Sequence, residues 1–497
     1  MLDIQKRLTN SFYILLSLPA TAMGFALCVQ IAALSWILNT KYGLNLEDIG
    51  FVWLAGPLAG ILGQPIVGLI SDDVWFWRGR RRPFILIGGV LAALMILALP
   101  FIGVISDALG LAGVIGVAIA VAISLDLAIN ISFNPTRSII ADVTPEGELR
   151  TKGYTWMQTV SGFFGVLAYL IGTYWDNYTL IYLGAILVFL FSIIPPFFIE
   201  EPRQLNINNE VNKSSTRTSW MDVLKTIQPL WGLLLYAVYR IVIRMNNIKV
   251  EHYWAEIICL ILTGLLIAHL IRKDKPGLSE TAADAIAFQK ILAAHAFTWL
   301  GVQTMFIYNF GYIKEVIMGY NISDVLNATQ NDQLGDINNV SFAILNTVGF
   351  LLPAFVLEPL AEKIGRVKTH ILCLAVMTLG YGTIVFLGKS SVSLFILMGV
   401  AGIGWAAVVS LPFAIMSEVV NPARMGLYMG LFNLSVVLPQ LVASSLGGFI
   451  EKQESRSAIY IICAIALGIS AILWLWVKDN KKSIKENNNP LAATGGH

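Results

Sequence analysis

Charge is what this chain has least of. Of its 497 residues only 13% are Asp, Glu, Lys or Arg, against 56% hydrophobic residues and a mean hydropathy of +0.71. Soluble domains carry about a quarter charged residues, so this balance points to an integral membrane protein. The net charge of +2 is nearly neutral and suggests no nucleic-acid partner. Cysteine is scarce as well. Cys28, Cys259, Cys373 and Cys463 all lie in apolar runs without CxxC spacing and read as small buried hydrophobes, not as a disulfide frame or a zinc site. The five histidines show no HExxH or other metal spacing. No Ser/His or His/Asp/Glu set is visible for an intramembrane enzyme, and the polar tail after 477 is too short for the signalling domain of a sensor.

Apolar length is what the chain has most of. A helix needs about 20 apolar residues to cross the hydrocarbon core. Such runs fall near 12–38, 49–71, 84–105, 110–134, 155–175 and 179–199, and again near 290–312, 340–361, 368–388, 392–417, 425–449 and 457–477. Lys6 and Arg7 precede the first run, but it continues to Leu38, beyond the roughly 7–15 residues of a signal-peptide core, and reads as a retained span. The expected organisation is a six-helix bundle over 1–200, a linker over 201–289, a second bundle over 290–477 and a polar tail over 478–497. The linker holds two further apolar segments, near 224–245 and 252–272. These either cross as an added hairpin, giving fourteen spans, or lie at the interface. The loops after spans two, four and eight are rich in Lys and Arg, while those after spans three and five have none. The positive-inside rule therefore places both termini in the cytoplasm.

The two halves repeat each other. GLISDDVWFWRGRRRP after span two matches EPLAEKIGRVKT after span eight, each with an acid at a helix end, a short turn, then Gly-Arg and further basic residues. IIADVTPEGELRTKGYTWM after span four matches AIMSEVVNPARMGLYMG after span ten. Recurrence at corresponding turns predicts an all-α protein of two parallel six-helix halves, the major facilitator arrangement. Acids facing arginines at these turns are candidate cytoplasmic gate residues: Asp72, Arg78, Arg80, Arg81, Arg82, Asp142, Glu358, Arg366, Glu418 and Arg424. Such pairs can be made in one conformation and broken in another.

One residue stands out in the fourth run. From Ala108 to Thr136 the only charged residue is Asp126. An ionised carboxylate in hydrocarbon costs several kcal/mol, so Asp126 is expected to face the bundle interior, a partner or a watery cavity. At 100° per residue Asp126, Asn130 and Asn134 share a face, and Arg137 returns to within about 20° of it, too far along a straight helix for direct contact. An acid whose surroundings change between two states can load and unload a proton, while the amides offer donors and acceptors suited to sugar hydroxyls. The alternative for Asp126 is helix-to-helix glue.

The stretches SDDVWFWRGRRRPFI, LDLAIN, NPTRSIIADVTP and WAAVVSLPFAIMSEVV, with GLYMGLFNLSVVLPQ, resemble the plant sucrose–proton symporters, the related animal sugar carriers and their bacterial relatives. The resemblance covers both bundles and leaves 220–272 outside. It implies proton coupling and sugar binding at Asp126 and Arg137, and places Gln30 near a position where the animal relatives carry a glutamate. The plant pattern has two aspartates after the TW of FTWLGVQTMFIYN, where this chain has Asn309 and Gly311, so more of the proton chemistry falls on Asp126. Gln30, Asn130, Gln158, Trp299, Gln303, Asn309 and Trp405 are the candidate sugar-binding residues, with aromatic packing as the competing role for the tryptophans. Asn433 and Gln440, two turns apart on one face, serve as readily in a gate or in packing. The expected function is a proton-driven symporter of an α-glucoside disaccharide of the maltose or sucrose type. Sodium coupling or another solute is the alternative within transport. No cofactor is expected beyond the coupling proton. The expected partners are sugar and lipid, the expected state is a monomer, and the expected place is the cell (inner) membrane.

Overall fold

A computed structural model describes residues 8–54, 56–57, 60, 75–111, 113–144, 148–201, 220–246, 248, 252–273, 279–420 and 425–478. Among the described residues the main helices are these. The first half contains α1 (Asn10–Thr40), α2 (Leu46–Trp53), α3 (Arg82–Ala108), α4 (Ile115–Val143), α5 (Glu148–Tyr174) and α6 (Asn177–Phe198). A hairpin follows, made of α7 (Trp231–Met245) and α8 (Trp254–Lys273). The second half contains α9 (Glu280–Tyr312), α10 (Ala328–Leu352), α11 (Arg366–Leu387), α12 (Ser391–Val419), α13 (Met425–Ser444) and α14 (Ala458–Trp474).

Starts are set by side-chain caps, which satisfy amides that a helix leaves unpaired. The Asn45 side chain accepts from Asp48 N at the head of α2, and Asp176 from Thr179 N at the head of α6. Asn327 and Ser390 open α10 and α12 with reciprocal capping boxes. Close approach rests on small residues. A Cβ built on Gly89 of α3 would collide with Ser192 of α6, so only glycine permits that crossing.

Packing obeys the repeat. In the first half α1 packs on α5 and α6, and α3 on α4 and α6; in the second, α9 packs on α13 and α14, and α11 on α12 and α14. The crossings between halves also come as a pair. α5 meets α10, and α2 meets α13, as a two-fold relation between the halves requires. Even the irregularities correspond: α1 carries a π-turn at Gln30–Leu34, and α9 runs into one at Ile313–Ile317. Single π-turns gather at functional sites.

Among the described residues nine helices are long and apolar enough to span a membrane, or ten if the bent pair Ala328–Leu352 and Phe355–Ala361 counts as one span. This is a multi-pass membrane protein. The twelve apolar runs read from sequence differ from this tally for physical reasons. α5 has the length, with 27 residues, but carries polar residues such as Gln158, Thr159 and Ser161, the last bonded to Thr21 of α1. The second run lies partly outside the described residues, and α14 is short at 17 residues. In the hairpin α8 is long enough to span, whereas α7 has 15 residues, extended at its start by a 3₁₀ turn at Gln228–Leu230. The two arms pack on each other and lie against α9 and α13, outside the second half.

Candidate substrate and coupling site

Asp126 sits where the halves meet. It is 8% exposed, and Gln30 Nε2 donates to its Oδ2 at 3.0 Å. Gln30 is the first residue of the π-turn in α1. The next turn of α4 supplies Asn130, whose Nδ2 donates to the Asp126 carbonyl at 2.7 Å. Gly56 lies against this group: a Cβ built there would be 3.0 Å from Asp126 Oδ2 and 3.2 Å from Gln440 Nε2 of α13. A carboxylate of the first half and an amide of the second thus flank one glycine. Asp126 faces protein on every side that these contacts define, and among the described residues no cation lies within ion-pair distance of it.

Arg137 belongs to the same face of α4 but not to the same surroundings. The helix runs unbroken through Pro135, so about 16 Å separates the two along the axis. Arg137 is exposed, its guanidinium 4.1 Å above the Phe133 ring, and Tyr154 Oη donates to its carbonyl at 3.2 Å. Asp126 is thus enclosed while Arg137, toward the C-terminal end of α4, is accessible.

Across the interface stands an aromatic corner. Trp405 of α12 meets Trp299 and Phe306 of α9 edge to face, with ring centroids at 6.1 Å and 5.3 Å. Its indole N–H donates to Asn346 Oδ1 at 3.3 Å, and Gly349 leaves room for its ring. Phe306 continues to Phe342, which meets Tyr169 of α5 at 5.6 Å, so the aromatic wall crosses between halves. Trp299 in turn donates to His295 Nε2 at 2.8 Å, and His295 stacks on Phe432. Gln303 is 9% exposed on the same helix, and Gln158 is exposed on α5. Asn309 is fully enclosed. It donates to Asn338 Oδ1 at 2.9 Å and accepts from Tyr460 Oη at 2.6 Å, which fixes α9 to α10 and α14.

The halves are stitched together at the end holding the 41–45 and 318–327 turns. Trp36 Nε1 donates to Asn331 O at 3.1 Å, Ser35 Oγ to Ile307 O at 3.0 Å, and Asn339 Nδ2 to Asn177 Oδ1 at 2.7 Å. Buried Lys314 donates to Asn39 Oδ1, Ile322 O and Asp324 O at 2.8–2.9 Å. The Glu451 carboxylate accepts from the amides of Leu46 and Glu47. Sequence reasoning missed these closing residues. Lys314, a cation just past the end of the 290–312 run, is a signal that could have found them.

At the opposite end the basic turn is fastened within the first half. Asp142 pairs with Arg80 at 3.1 Å and Arg81 at 3.3 Å. Trp77 and Arg78 take left-handed conformations, φ 49° and 64°, which hairpin the chain from Phe76 to Gly79. The amides of Arg80, Arg81 and Arg82 then converge on the Glu201 carboxylate at 2.7–3.1 Å. Nothing in the sequence marks Glu201, at the end of span six, for this part. Arg366 is exposed; Asp72 and Arg424 lie outside the described residues, and of Glu358 and Glu418 only the backbone is described.

Two pseudo-equivalent helical halves, closed against each other at one end and enclosing polar and aromatic side chains at their interface, define a membrane carrier and not an enzyme. The family model of the Major Facilitator Superfamily matches residues 16–330 and 316–494, and the chain belongs to that superfamily. Sucrose transport protein SUC3 of Arabidopsis thaliana is 23% identical over 491 residues, covering 86% of this chain and 80% of its own length. The general alpha-glucoside permease of Schizosaccharomyces pombe is 29% identical over 174 residues, 31% of each chain. Among solved structures the nucleoside transporter NupG, in a point-mutant form, aligns with a TM-score of 0.62 at 11% identity, over 94% of this chain and 99% of its own. The xylose transporter XylE from E. coli, in an inward open conformation, aligns with a TM-score of 0.59 at 15% identity, over 96% and 98%. Those two likenesses speak for the fold.

Proposed function

We propose that this protein is a proton-coupled symporter of an α-glucoside disaccharide, of the maltose or sucrose type, working by alternating access in a cell membrane. The observation that carries the coupling is Asp126: a carboxylate bound by one neutral donor and enclosed where the two halves meet. Charge is costly there and cheap in water, so a rearrangement that wets Asp126 exchanges a proton with the side that wets it. The names of the sucrose and alpha-glucoside relatives support the sugar, and the aromatic corner supplies faces for a pyranose ring beside amide donors and acceptors.

Orientation follows from the basic turns, which the positive-inside rule assigns to the cytoplasm together with both termini. The stitched end is then the outer one, and the face leading from Asp126 to Arg137 opens inward. This conformation is then the inward-facing one, from which cargo would leave to the cytoplasm. Asp126 picks up its proton when the outer stitches part, and the loaded carrier returns both to the cytoplasm.

The test is uptake into proteoliposomes of labelled maltose, sucrose and glucose, with an imposed inward proton gradient, a sodium gradient, or neither. Accumulation of a disaccharide under the proton gradient alone is the expected result. Accumulation that follows sodium, or indifference to all three sugars, would overturn the proposal.

A further inference from the structure

The hairpin does not lie flush on the second half. Between α7, α8 and the pair α9–α13 runs a cavity of about 1050 Å³. Part of its wall is apolar, lined by residues such as Phe297, Leu300 and Val442. Another part, toward the α7–α8 turn, carries charge, with Glu47, Arg240, Glu256 and Lys452 in the lining. The same end carries Tyr253 and Trp254, both exposed, where aromatic side chains mark the lipid–water boundary.

The charges are incompletely satisfied. Arg240 reaches Glu256 Oε1 only at 3.9 Å, beyond hydrogen-bond distance. Glu256 Oε2 is buried and has no donor among the described residues. Lys452 rests above the Tyr253 ring at 5.7 Å, a cation held by an aromatic face. A buried carboxylate oxygen without a donor is costly, and a cation nearby that binds no anion directly leaves room for one. One ligand answers both needs. It must bring N–H donors for Glu256, an anion for Arg240 and Lys452, and an apolar body for the slot.

We propose that this cavity is a site for an aminophospholipid of the adjoining leaflet, with its primary ammonium at Glu256, its phosphate between Arg240 and Lys452, and its acyl chains along the wall formed by α8 and α9. The site touches the closed end of the carrier. Glu47 lines it, and the Glu47 amide is one of the two that hold Glu451 across the halves. A bound lipid braces that latch and favours the state closed there. The hairpin, which the transport cycle leaves without a role, becomes the wall that makes the site.

The assay is native mass spectrometry of the delipidated full-length protein titrated with three phospholipids of matched chains. Phosphatidylethanolamine has both ammonium donors and phosphate, phosphatidylcholine lacks the N–H donors, and phosphatidylglycerol lacks the cation. Ethanolamine lipid should bind about fivefold more tightly than either of the others, the worth of one charged contact at a membrane surface. Glu256→Gln should erase that preference, while Arg240→Gln and Lys452→Gln should weaken all three lipids. Lys273→Gln, at the far end of α8, should change nothing. Equal binding of the three lipids, or binding indifferent to Glu256 and Lys452, would reduce the cavity to a slot filled by any acyl chain and overturn the proposal. The readout does not depend on the transported solute, so it stands or falls apart from the sugar reading.

Discussion

A single side chain carries the coupling argument, and its replacement separates binding from driving force. Asp126→Asn keeps a polar group of the same shape within reach of Gln30 but cannot give up a proton. It should bind sugar and still exchange it across the membrane, while gradient-driven accumulation is lost. Counterflow measured beside uptake in the same vesicles checks this, and full accumulation by the variant would reject Asp126 as the proton carrier. A second residue tests architecture. Glu201 draws three successive amides to one carboxylate, and charge-assisted hydrogen bonds of this kind contribute about 1.5–3 kcal/mol. Glu201→Gln should lower the thermal unfolding midpoint in detergent, since it weakens the acceptor while leaving the left-handed turn at Trp77 and Arg78 to be held. Trp405→Leu removes edge-to-face contacts with Trp299 and Phe306 and should raise the KM for sugar several-fold, at about 0.5–1.5 kcal/mol for such aromatic pairs.

Among elements, α1 and α9 are the pair to watch. Both begin a half, both carry a π-turn, and they meet through Ser35, Asn39 and Lys314. The Lys314 ammonium is buried on three neutral oxygens, so it holds the closed end only while Asn39 and the 322–324 turn are in place. Lys314→Gln should loosen this end. A cysteine placed at Ser35, with the four native cysteines replaced by alanine, is expected to react faster with a membrane-impermeant thiol reagent from outside in that variant than in its parent. Unchanged reactivity would mean that Lys314 is no part of the latch. The helix α5 shows why composition alone undercounts spans: polar residues such as Gln158, Thr159 and Ser161 lower its hydropathy without shortening its 27 residues.

At the scale of the molecule, alternating access requires the stitched end to open. Asn177 and Asn339 lie across the halves with 2.7 Å between their amide atoms. Cysteines at both positions, joined by a short reducible bifunctional reagent, should abolish uptake, and reduction should restore it. Uptake that persists with the bridge intact would show that the halves do not part there. The two-fold correspondence of crossings, α5 with α10 and α2 with α13, is the structural reason to expect motion of one half against the other as bodies.

Much of this protein was written in its order of residues. Hydropathy set the membrane character, the recurring turns set the two halves, and Asp126 declared itself because a carboxylate in an apolar helix has no indifferent place to be. Asp142 and the arginines were legible as gate candidates at separate turns, but their pairing across those turns was a decision of the fold. What only the folded chain decided were relations between distant segments: that Gln30 serves Asp126, that Asn309 is bound by Asn338 and Tyr460, that Glu201 gathers the basic turn, and that the stitches of the closed end run from 35–47 and Asn177 to 307–339 and Glu451. Periodicity tells which side of a helix faces inward, because lipid and interior differ in polarity. It does not tell which neighbour stands there, because that depends on how helices from both halves are brought together, and no single stretch of sequence contains that information.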